Sequence, residues 1–439
     1  MFDSLRCGPL TLNVFNMKVL VIGSGGREHA LVWKLGRSSR VSKVYCAPGN
    51  GGIAAEAECL GADIKSVDSM LGVTEQVRPD LVVVGPEVPL ALGVVDRLSA
   101  RGWKTFGPTQ KAARLESSKS FAKEFMQRHH IPTAYYAVCD SNEEVRDALS
   151  HLSGPVVVKA DGLAAGKGVV LCKSKEEASA VATDMLSGKT VGEAGSRVVL
   201  EECLKGEELS FLLLSDGERV APLVAAQDHK RVGDADTGPN TGGMGAYSMS
   251  SLLDEQMQNW LLQHVARPVV AGMKAEGSEY KGVLYCGLMM TARGPMVLEF
   301  NCRFGDPEVQ AILMRLESDL VEALEASIEG RVSEGDFQWS NDASVCVVMA
   351  SGGYPGVFEA GKRIVGIEEA NAMEGVKVFH AGTSARDGHY FTAGGRVLGV
   401  TARAPQLSGA VERAYEAVAK IGFEGAHYRR DIAARALKQ

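Results

Sequence analysis

No stretch of this sequence approaches the apolar length that a membrane span requires, which excludes a spanning helix. No run of lysine or arginine is long enough to mark a nucleic-acid footprint. With 47 basic and 54 acidic residues the formal charge is −7, so phosphate backbones exert no general attraction. The nine cysteines are scattered and include no Cys-x-x-Cys, which argues against a zinc site. Their odd number in 439 residues argues against a disulfide framework. Several lie in apolar runs, where a free thiol serves as a small hydrophobe, and a reducing cytoplasm is expected. Internal repeats and low-complexity linkers are also lacking, and no obligate protein partner is evident. What remains is the composition of an ordinary globular protein, 45% hydrophobic and 23% charged.

Glycine, by contrast, is abundant: 50 residues point to tight turns or to backbone that approaches ligands closely. The length suggests two to four domains rather than a single core. Residues 1–16 have an acidic residue near their start, one arginine and no sustained apolar region, so they suit neither a secretory signal nor a transit peptide. They are expected to lie outside the fold, with Met17 as a natural start.

From Lys18 to Gly23 the pattern is a short buried strand, followed by Ser24-Gly25-Gly26-Arg27-Glu28 and a helical run from His29. That order places backbone N–H groups at a helix N-terminus, where an anion is stabilised. A dinucleotide fingerprint needs its third glycine at the position of Glu28, so nicotinamide binding is disfavoured while phosphate binding stays open. Strands are predicted at 43–47, 80–85 and 104–106, with a helix at about 90–100. Strands alternating with helices predict a doubly wound parallel sheet, whose ligands gather beyond the carboxyl ends of the strands. The glycine turn, Asn50 and Glu87 all occupy such ends, and each is also readable as a plain turn or a solvated residue.

Ser117 or Ser118 is placed to cap a helix running to His130, and Lys119 in its first turn opposes the helix dipole, a hint of a ligand. Ser141-x-x-Glu144 and Ser174-x-x-Glu177 read as capping boxes of two further helices. Between them two apolar strands flank the loop from Gly162 to Gly168, with Lys159 inside the first strand. A P-loop is excluded, because its first glycine would fall at Asp161 and Gly168 stands where Ser or Thr must meet the metal. Lysine in an apolar strand beside a glycine loop favours phosphate binding over a plain hairpin. The strand at 198–200 leads through Glu201, Cys203 and Leu204 to a strand that begins with Glu208. This offers backbone to a base and a carboxylate to ribose, or is only an acidic hairpin. Residues 227–248 carry Asp228, His229, Lys230 and Gly242-Gly243-Met244-Gly245 without periodicity, which suits a substrate loop. His229 is read as solvated or hydrogen-bonded rather than as a base.

The densest signal runs from Val297 to Glu308. A period of two puts Val297, Glu299 and Asn301 on one strand face and Leu298 and Phe300 on the other. A carboxylate beside an amide oxygen suits Mg²⁺, which takes few protein oxygens and completes its shell with phosphate and water. Arg303, Asp306 and Glu308 follow at once; an edge strand with a salt-bridged turn is the alternative. Beyond it, a helix at 309–330, strands at 344–350, 377–382 and 396–404, and a helix at 407–421 form a small α+β unit. Its Gly394-Gly395-Arg396 either finishes an anionic site or makes a turn.

Nine motifs in order, GSGGREHA, APGN, VVGPE, KADGLAAGKGV, EECLKGEELS, QDHKRVGDADTGPNTGGMGAYS, LEFNCRFGDPE, HAGT and GGRVLGV, closely resemble the glycinamide ribonucleotide synthetase family of the ATP-grasp superfamily. The resemblance runs from Met17 nearly to the C-terminus. It implies an α/β and α+β multidomain chain, with a doubly wound N-terminal domain over 17–117 and an ATP-grasp domain over 118–325. A mobile lid at about 133–203 and a small α+β C-terminal domain over 326–439 complete the implied architecture.

The implied reaction joins glycine to 5-phosphoribosylamine with ATP as co-substrate, through glycyl phosphate, giving glycinamide ribonucleotide, ADP and phosphate in purine (IMP) biosynthesis. The implied cofactor is Mg²⁺ or Mn²⁺, held by Glu299 and Asn301. Carried over by position, Lys119, Lys159, Gly162, Gly166, Lys167 and Gly168 meet the ATP phosphates. Glu201, Cys203, Leu204 and Glu208 hold adenine and ribose, and Arg303 is the catalytic residue at the acyl phosphate. Gly25, Gly26, Arg27, Asn50, Glu87, Asp228, Gly243, Met244 and Gly245 surround phosphoribosylamine and glycine, with Arg396 on the ribose phosphate. Cys203 departs from the aromatic residue more usual at that hinge, which touches adenine packing alone. The lid is expected to be mobile without ATP and to order on binding it, excluding water. Three rival readings are another ATP-grasp ligase, a nicotinamide oxidoreductase and a catalytically silent nucleotide-binding regulator. Against them stand, in turn, the terminal motifs, Glu28, and the set Lys159, Glu299, Asn301 and Arg303.

Overall fold

A computed structural model describes residues 16–164 and 168–438. The expectation for residues 1–16 therefore lies, for all but Asn16, outside the described residues. The first unit is a parallel sheet of β1 (Met17–Gly23), β2 (Val41–Pro48), β3 (Glu58–Cys59), β4 (Leu81–Val84) and β5 (Thr105–Phe106), in the order β3-β2-β1-β4-β5. Alternate residues serve opposite cores. Val19, Val21, Leu81 and Val83 pack with α1 (Gly26–Leu35), while Leu20, Ile22, Val82 and Val84 pack with α2 (Val67–Val77). A strand apolar on both faces is what a sheet covered on both sides requires. The helix predicted at 90–100 is split into α3 (Glu87–Ala91) and α4 (Val94–Ser99) by Gly93, whose φ of +79° belongs to no continuous right-handed helix.

After α5 (Arg114–Ser117) and α6 (Lys119–Arg128) comes a sheet with its own core. Its strands β6 (Tyr136–Cys139), β7 (Val156–Ala160), β8 (Val169–Cys172) and β9 (Val198–Glu202) run antiparallel in the order β6-β9-β7-β8. Helices α7 (Asn142–His151) and α8 (Lys175–Leu186) bury Val145, Leu149 and Met185 against Val156, Val158 and Leu200. Ser141 and Ser174 cap these helices, but Glu144 and Glu177 reach one residue further back than a capping box. They accept from the Asp140 and Lys173 N–H groups at 2.6 and 2.7 Å.

The central sheet follows, with β10 (Glu207–Asp216) and β11 (Val220–Pro222). The stretch read as an irregular loop is instead β12 (Gln227–Asp228), β13 (Arg231–Gly233), β14 (Thr237–Asn240) and β15 (Gly245–Ser248). Strands of two to four residues are too short to show a period. Helices α9 (Glu255–Leu261) and α10 (Arg267–Ala275) precede β16 (Lys281–Thr291) and β17 (Gly294–Asn301), and the sheet order is β11-β10-β16-β17. The helix predicted at 309–330 is two, α11 (Glu308–Arg315) and α12 (Leu320–Glu329), because Asp319 caps the second through the Val321 N–H.

In the C-terminal part, β18 (Ala343–Ala350), β20 (Val376–His380) and β23 (Arg396–Ala404) join β12 and β15 in one sheet, ordered β12-β15-β18-β23-β20. A three-stranded sheet of β19 (Arg363–Ile364), β21 (Thr383–Arg386) and β22 (His389–Thr392) flanks it, with α13 (Ile367–Asn371) and α14 (Leu407–Lys420). Residues 227–248 are thus woven into the C-terminal sheet. The N-terminal and central sheets also share cores, since Leu20 and Ile22 pack in one cluster with Leu213, Leu284 and Phe300. The eight described cysteines are free, and no helix among the described residues is long and apolar enough to cross a membrane.

Candidate active site

The register of β17 decides what its polar side chains face. Leu288 pairs with Val297 and Gly287 with Glu299, so Leu298 is an extra residue, a β-bulge. The bulge overturns the predicted alternation. Val297 turns into the same core as Phe300, and Glu299 and Asn301 are left partly exposed. The Leu298 carbonyl accepts a hydrogen bond from Lys159 Nζ at 3.1 Å.

Cations converge on Glu299. Lys230 Nζ lies 3.9 Å from its Oε1. Enclosure raises its carboxyl, but Lys230, Lys159, Lys119 and Arg303 outweigh that and hold it below the usual carboxylate range. Asn301 Oδ1 accepts from Arg303 Nη2 at 3.1 Å. Lys119 Nζ donates to the Gly162 carbonyl at 3.3 Å; burial lowers its pKa, against the pull of Glu299. Lys230 also pairs with Glu208 at 2.8 Å, linking the expected ribose and metal residues. Cys203 and Leu204 lie between β9 and β10, where the Cys203 thiol donates weakly to the Leu204 carbonyl at 3.8 Å. Gly162 and Gly168 flank the loop, while Gly166 and Lys167 lie outside the described residues.

Glu201 differs from its expected place at adenine or ribose. It is 2% exposed, and its two oxygens pair with Lys123 and Lys159, each at 2.8 Å. Sequence reasoning missed Lys123. The signal was its place four residues after Lys119, where like charges share a helix face and repel.

The other half of the site gathers at the carboxyl ends of β1, β2 and β4. Helix α1 starts three residues earlier than predicted, and its N-terminus already has an anion. Glu28 bends back to accept from the Gly25 N–H at 2.5 Å and pairs with Arg27 Nε at 2.6 Å. Gly23, at φ +132°, makes room for it: a Cβ there would lie 2.5 Å from Glu28 Cγ. Asp306 adds a second carboxylate, accepting from the Arg27 N–H at 3.4 Å. The helix dipole therefore meets the protein's own acids rather than an open anion site.

Three guanidinium groups stand around them. Arg27 Nη1 donates to the Phe304 carbonyl at 3.3 Å. Arg396 Nη1 donates to the carbonyls of Gly242 and Asp306, at 2.6 and 2.7 Å, and its Nη2 lies 3.4 Å from the Asp306 carboxylate. Arg303 pairs with Glu116 at 3.0 Å and with Glu87 at 3.4 Å, and its Nη1 donates to the Phe304 carbonyl at 3.2 Å. Burial raises the Glu87 carboxyl, but Arg303 and Arg27 overcome it and lower the net value. Glu116 is another residue that sequence reasoning missed. It accepts from the Cys302 N–H at 2.7 Å, and burial raises its carboxyl despite Arg303.

The remaining expected substrate residues divide. Asn50 uses its whole capacity internally. Its Nδ2 donates to the Ser24 and His380 carbonyls at 2.8 and 2.9 Å, and its Oδ1 accepts from Gly52 and Ile53 N–H groups at 3.0 Å. It ties the loop after β2 to β1 and β20 and has no group left for a ligand. Gly243, at φ +110°, lies against Pro307, and Met244 is buried with its N–H on the His229 carbonyl at 2.8 Å. The Gly245 carbonyl accepts from the His229 N–H at 2.9 Å. Asp228 is buried and its carboxyl is pushed up to about 8 by burial, with Lys230 opposing and Glu308, Glu208 and Glu299 adding. His229 is not solvated. It is 2% exposed, its Nδ1 has no hydrogen-bond partner among the described residues, and burial, helped by Arg429, lowers it to about 4.

The chain matches the phosphoribosylglycinamide synthetase family over its N domain at 17–116, its ATP-grasp (A) domain at 117–309 and its C domain at 344–435. It is 49% identical over 424 residues to phosphoribosylamine–glycine ligase of Vibrio vulnificus, covering 96% of this chain and 99% of that one. A solved phosphoribosylamine–glycine ligase from Thermotoga maritima superposes with a TM-score of 0.84 at 34% identity, covering 95% of this chain and 100% of that one. Biotin carboxylase from Campylobacter jejuni, solved with a β-γ-ATP ligand, shares the fold at 16% identity and a TM-score of 0.75, covering 97% and 96% of the two chains.

Proposed function

The chain belongs to the phosphoribosylglycinamide synthetase family, and from that premise we propose how its cleft divides the work. The enzyme joins glycine to 5-phosphoribosylamine with ATP, giving glycinamide ribonucleotide, ADP and phosphate in purine biosynthesis. A carboxylate is a poor electrophile, so the γ-phosphoryl group first passes to a glycine carboxylate oxygen, forming glycyl phosphate. The amine of 5-phosphoribosylamine then attacks the carbonyl carbon. The C–O bond breaks, phosphate leaves with that oxygen, and the new amide nitrogen loses a proton. No side-chain nucleophile is required; the protein's part is positioning and charge neutralisation.

The observation that carries this reading is the cations gathered at the end of β17: Lys230 lies 3.9 Å from Glu299, Lys159 reaches the Leu298 carbonyl and Arg303 reaches Asn301, with Lys119 on the Gly162 carbonyl. Lys119 and Lys159 hold the ATP phosphates, with Gly162 and Gly168 beside them. Glu208 and the Cys203–Leu204 backbone take ribose and adenine. No group of three or more His, Cys, Asp or Glu side chains suited to a metal occurs among the described residues. Glu299 and Asn301 offer a carboxylate and an amide oxygen, hard donors that would fit Mg²⁺ or Mn²⁺, a cation that takes few protein oxygens. Held there, a divalent metal would supply neutralisation of phosphate charge. Arg303, anchored by Glu116 and Glu87 and beside Asn301, is the cation placed to meet the acyl phosphate. Arg27, Glu87, Asp228, Arg396 and the backbone of Gly25–Gly26 and 243–245 surround glycine and phosphoribosylamine. The unit at 133–203, with its separate core, closes over ATP. Free cysteines suit a cytoplasmic enzyme acting on small molecules.

The test is ADP release with glycine and freshly generated phosphoribosylamine, each omitted in turn. Full release is expected only with both present; equal release with either one missing would defeat the assignment.

A further inference from the structure

We infer that Lys123 is the positioning residue for Lys159, acting through Glu201 and from the root of the unit that carries both Lys159 and Glu201. The inference rests on the proposed placing of Lys159 at the ATP phosphates. Lys123 lies on α6, is 2% exposed, and sends Nζ to two partners, Thr133 Oγ1 at 2.7 Å and Glu201 Oε2 at 2.8 Å. The Thr133 hydroxyl in turn donates to the Val297 carbonyl at 2.6 Å, and the Val297 N–H donates to the Pro132 carbonyl at 2.8 Å. The other oxygen of Glu201 meets Lys159 Nζ at 2.8 Å, and that ammonium also reaches the Leu298 carbonyl at 3.1 Å.

These contacts join three places. Thr133 is where the chain enters the β6–β9 unit, Glu201 is near where it leaves, and Val297–Leu298 is the bulge immediately before Glu299. Lys123 therefore fixes both connections of the unit to the strand of the expected metal residues. Its charge matters as much as its place. One buried carboxylate shared by two lysines leaves a net positive charge, and that charge stays available on Lys159. Without Lys123, the whole charge of Glu201 falls on Lys159, which is then neutralised and drawn away from a phosphate. A Lys123 that merely filled space would affect folding and leave the separate Michaelis constants alone.

The experiment measures KM for ATP and for glycine in Lys123→Met, Thr133→Val, Lys159→Met and the Lys123→Met/Lys159→Met double variant, with melting temperatures alongside. Lys123→Met should raise KM for ATP on the order of tenfold, as loss of an outer supporting group does, while KM for glycine stays within about twofold. Thr133→Val should shift KM for ATP in the same direction and by less; it carries the test if Lys123→Met fails to fold. The double variant should be no worse than Lys159→Met alone, because the two residues act in series. An unchanged KM for ATP in Lys123→Met and Thr133→Val, or multiplied effects in the double variant, would overturn the inference while leaving Lys159 in place. An unchanged KM for ATP in Lys159→Met would overturn the underlying reading as well.

Discussion

Two glycine turns in this chain carry the same local promise of an anion site and meet opposite surroundings. Around Gly25–Gly26 stand three arginines, Arg27, Arg303 and Arg396, and four carboxylates, Glu28, Glu87, Glu116 and Asp306. Lys119 meets the turn entered at Gly162, and it is linked there with Lys123, Lys159 and Lys230 and with the carboxylates Asp161, Glu201, Glu208 and Glu299. A glycine turn shows where backbone approaches closely; the charge around it shows which ligand it suits. On the proposed assignment, the carboxylates of the first side suit the amino groups of glycine and phosphoribosylamine. The lysine-rich side suits the phosphates of ATP.

The largest effect should come from the lysine-rich side. Glu299→Ala should lower turnover by on the order of 10³-fold, since charge stabilisation is the main term in such sites, with circular dichroism and melting temperature little changed. Near-normal turnover would put the metal elsewhere. Lys159→Met should cost on the order of 10²-fold in kcat/KM for ATP, read from ATP titrations at saturating glycine. If the two turns were equivalent, a change at the first would cost as much activity, and Asn50→Ala tests that. Loss of its hydrogen bonds should destabilise by about 2–3 kcal/mol in chemical denaturation, with KM values for glycine and phosphoribosylamine little altered. A rise of about tenfold in either KM at unchanged stability would show that Asn50 faces a ligand.

The smallest effect separates the two regions by pH. The first turn is tied to β20 through His29, whose Nδ1 accepts from the His380 N–H at 2.7 Å and whose Nε2 meets Glu56 at 3.2 Å. Burial lowers His380 to about 3, so it stays neutral in the folded protein near neutral pH, and burial lowers His29 below its usual value against the pull of Glu56. The unfolded chain binds their protons first. Their contribution is therefore full above pH 6.5 and is lost as pH falls below it, by about 2 kcal/mol for His380 between pH 6.5 and 5. Hydrogen exchange at pH 7.5 and 5.0, corrected for intrinsic rates, should show α1 and β20 loosening on acidification before β7 and β9. Uniform protection at both values would remove this distinction.

Much of the fold was legible because long apolar strands carry their own period. β1, β18 and β23, of seven to nine residues, lie within two residues of their predicted ends. What escaped was shorter than a period or made by distant partners. β12 to β15 have two to four residues each, and the bulge at Leu298 exists only against β16. The breaks at Gly93 and Asp319 depend on one backbone angle and one cap. The candidate site followed the same division. Lys159, Glu299, Asn301 and Arg303 stood out as charged or amide side chains in apolar or glycine-rich surroundings. Glu116 and Lys123 look ordinary on their own helices and gain meaning only from Arg303 and Glu201, which folding brings to them.

The central claim is that this cleft moves a phosphoryl group onto glycine before the amine arrives. Its most direct test follows the oxygen. With oxygen-18 in the glycine carboxylate and unlabelled ATP and water, the released phosphate should carry one labelled oxygen per turnover. Phosphate free of label, formed at the rate of product, would contradict the account.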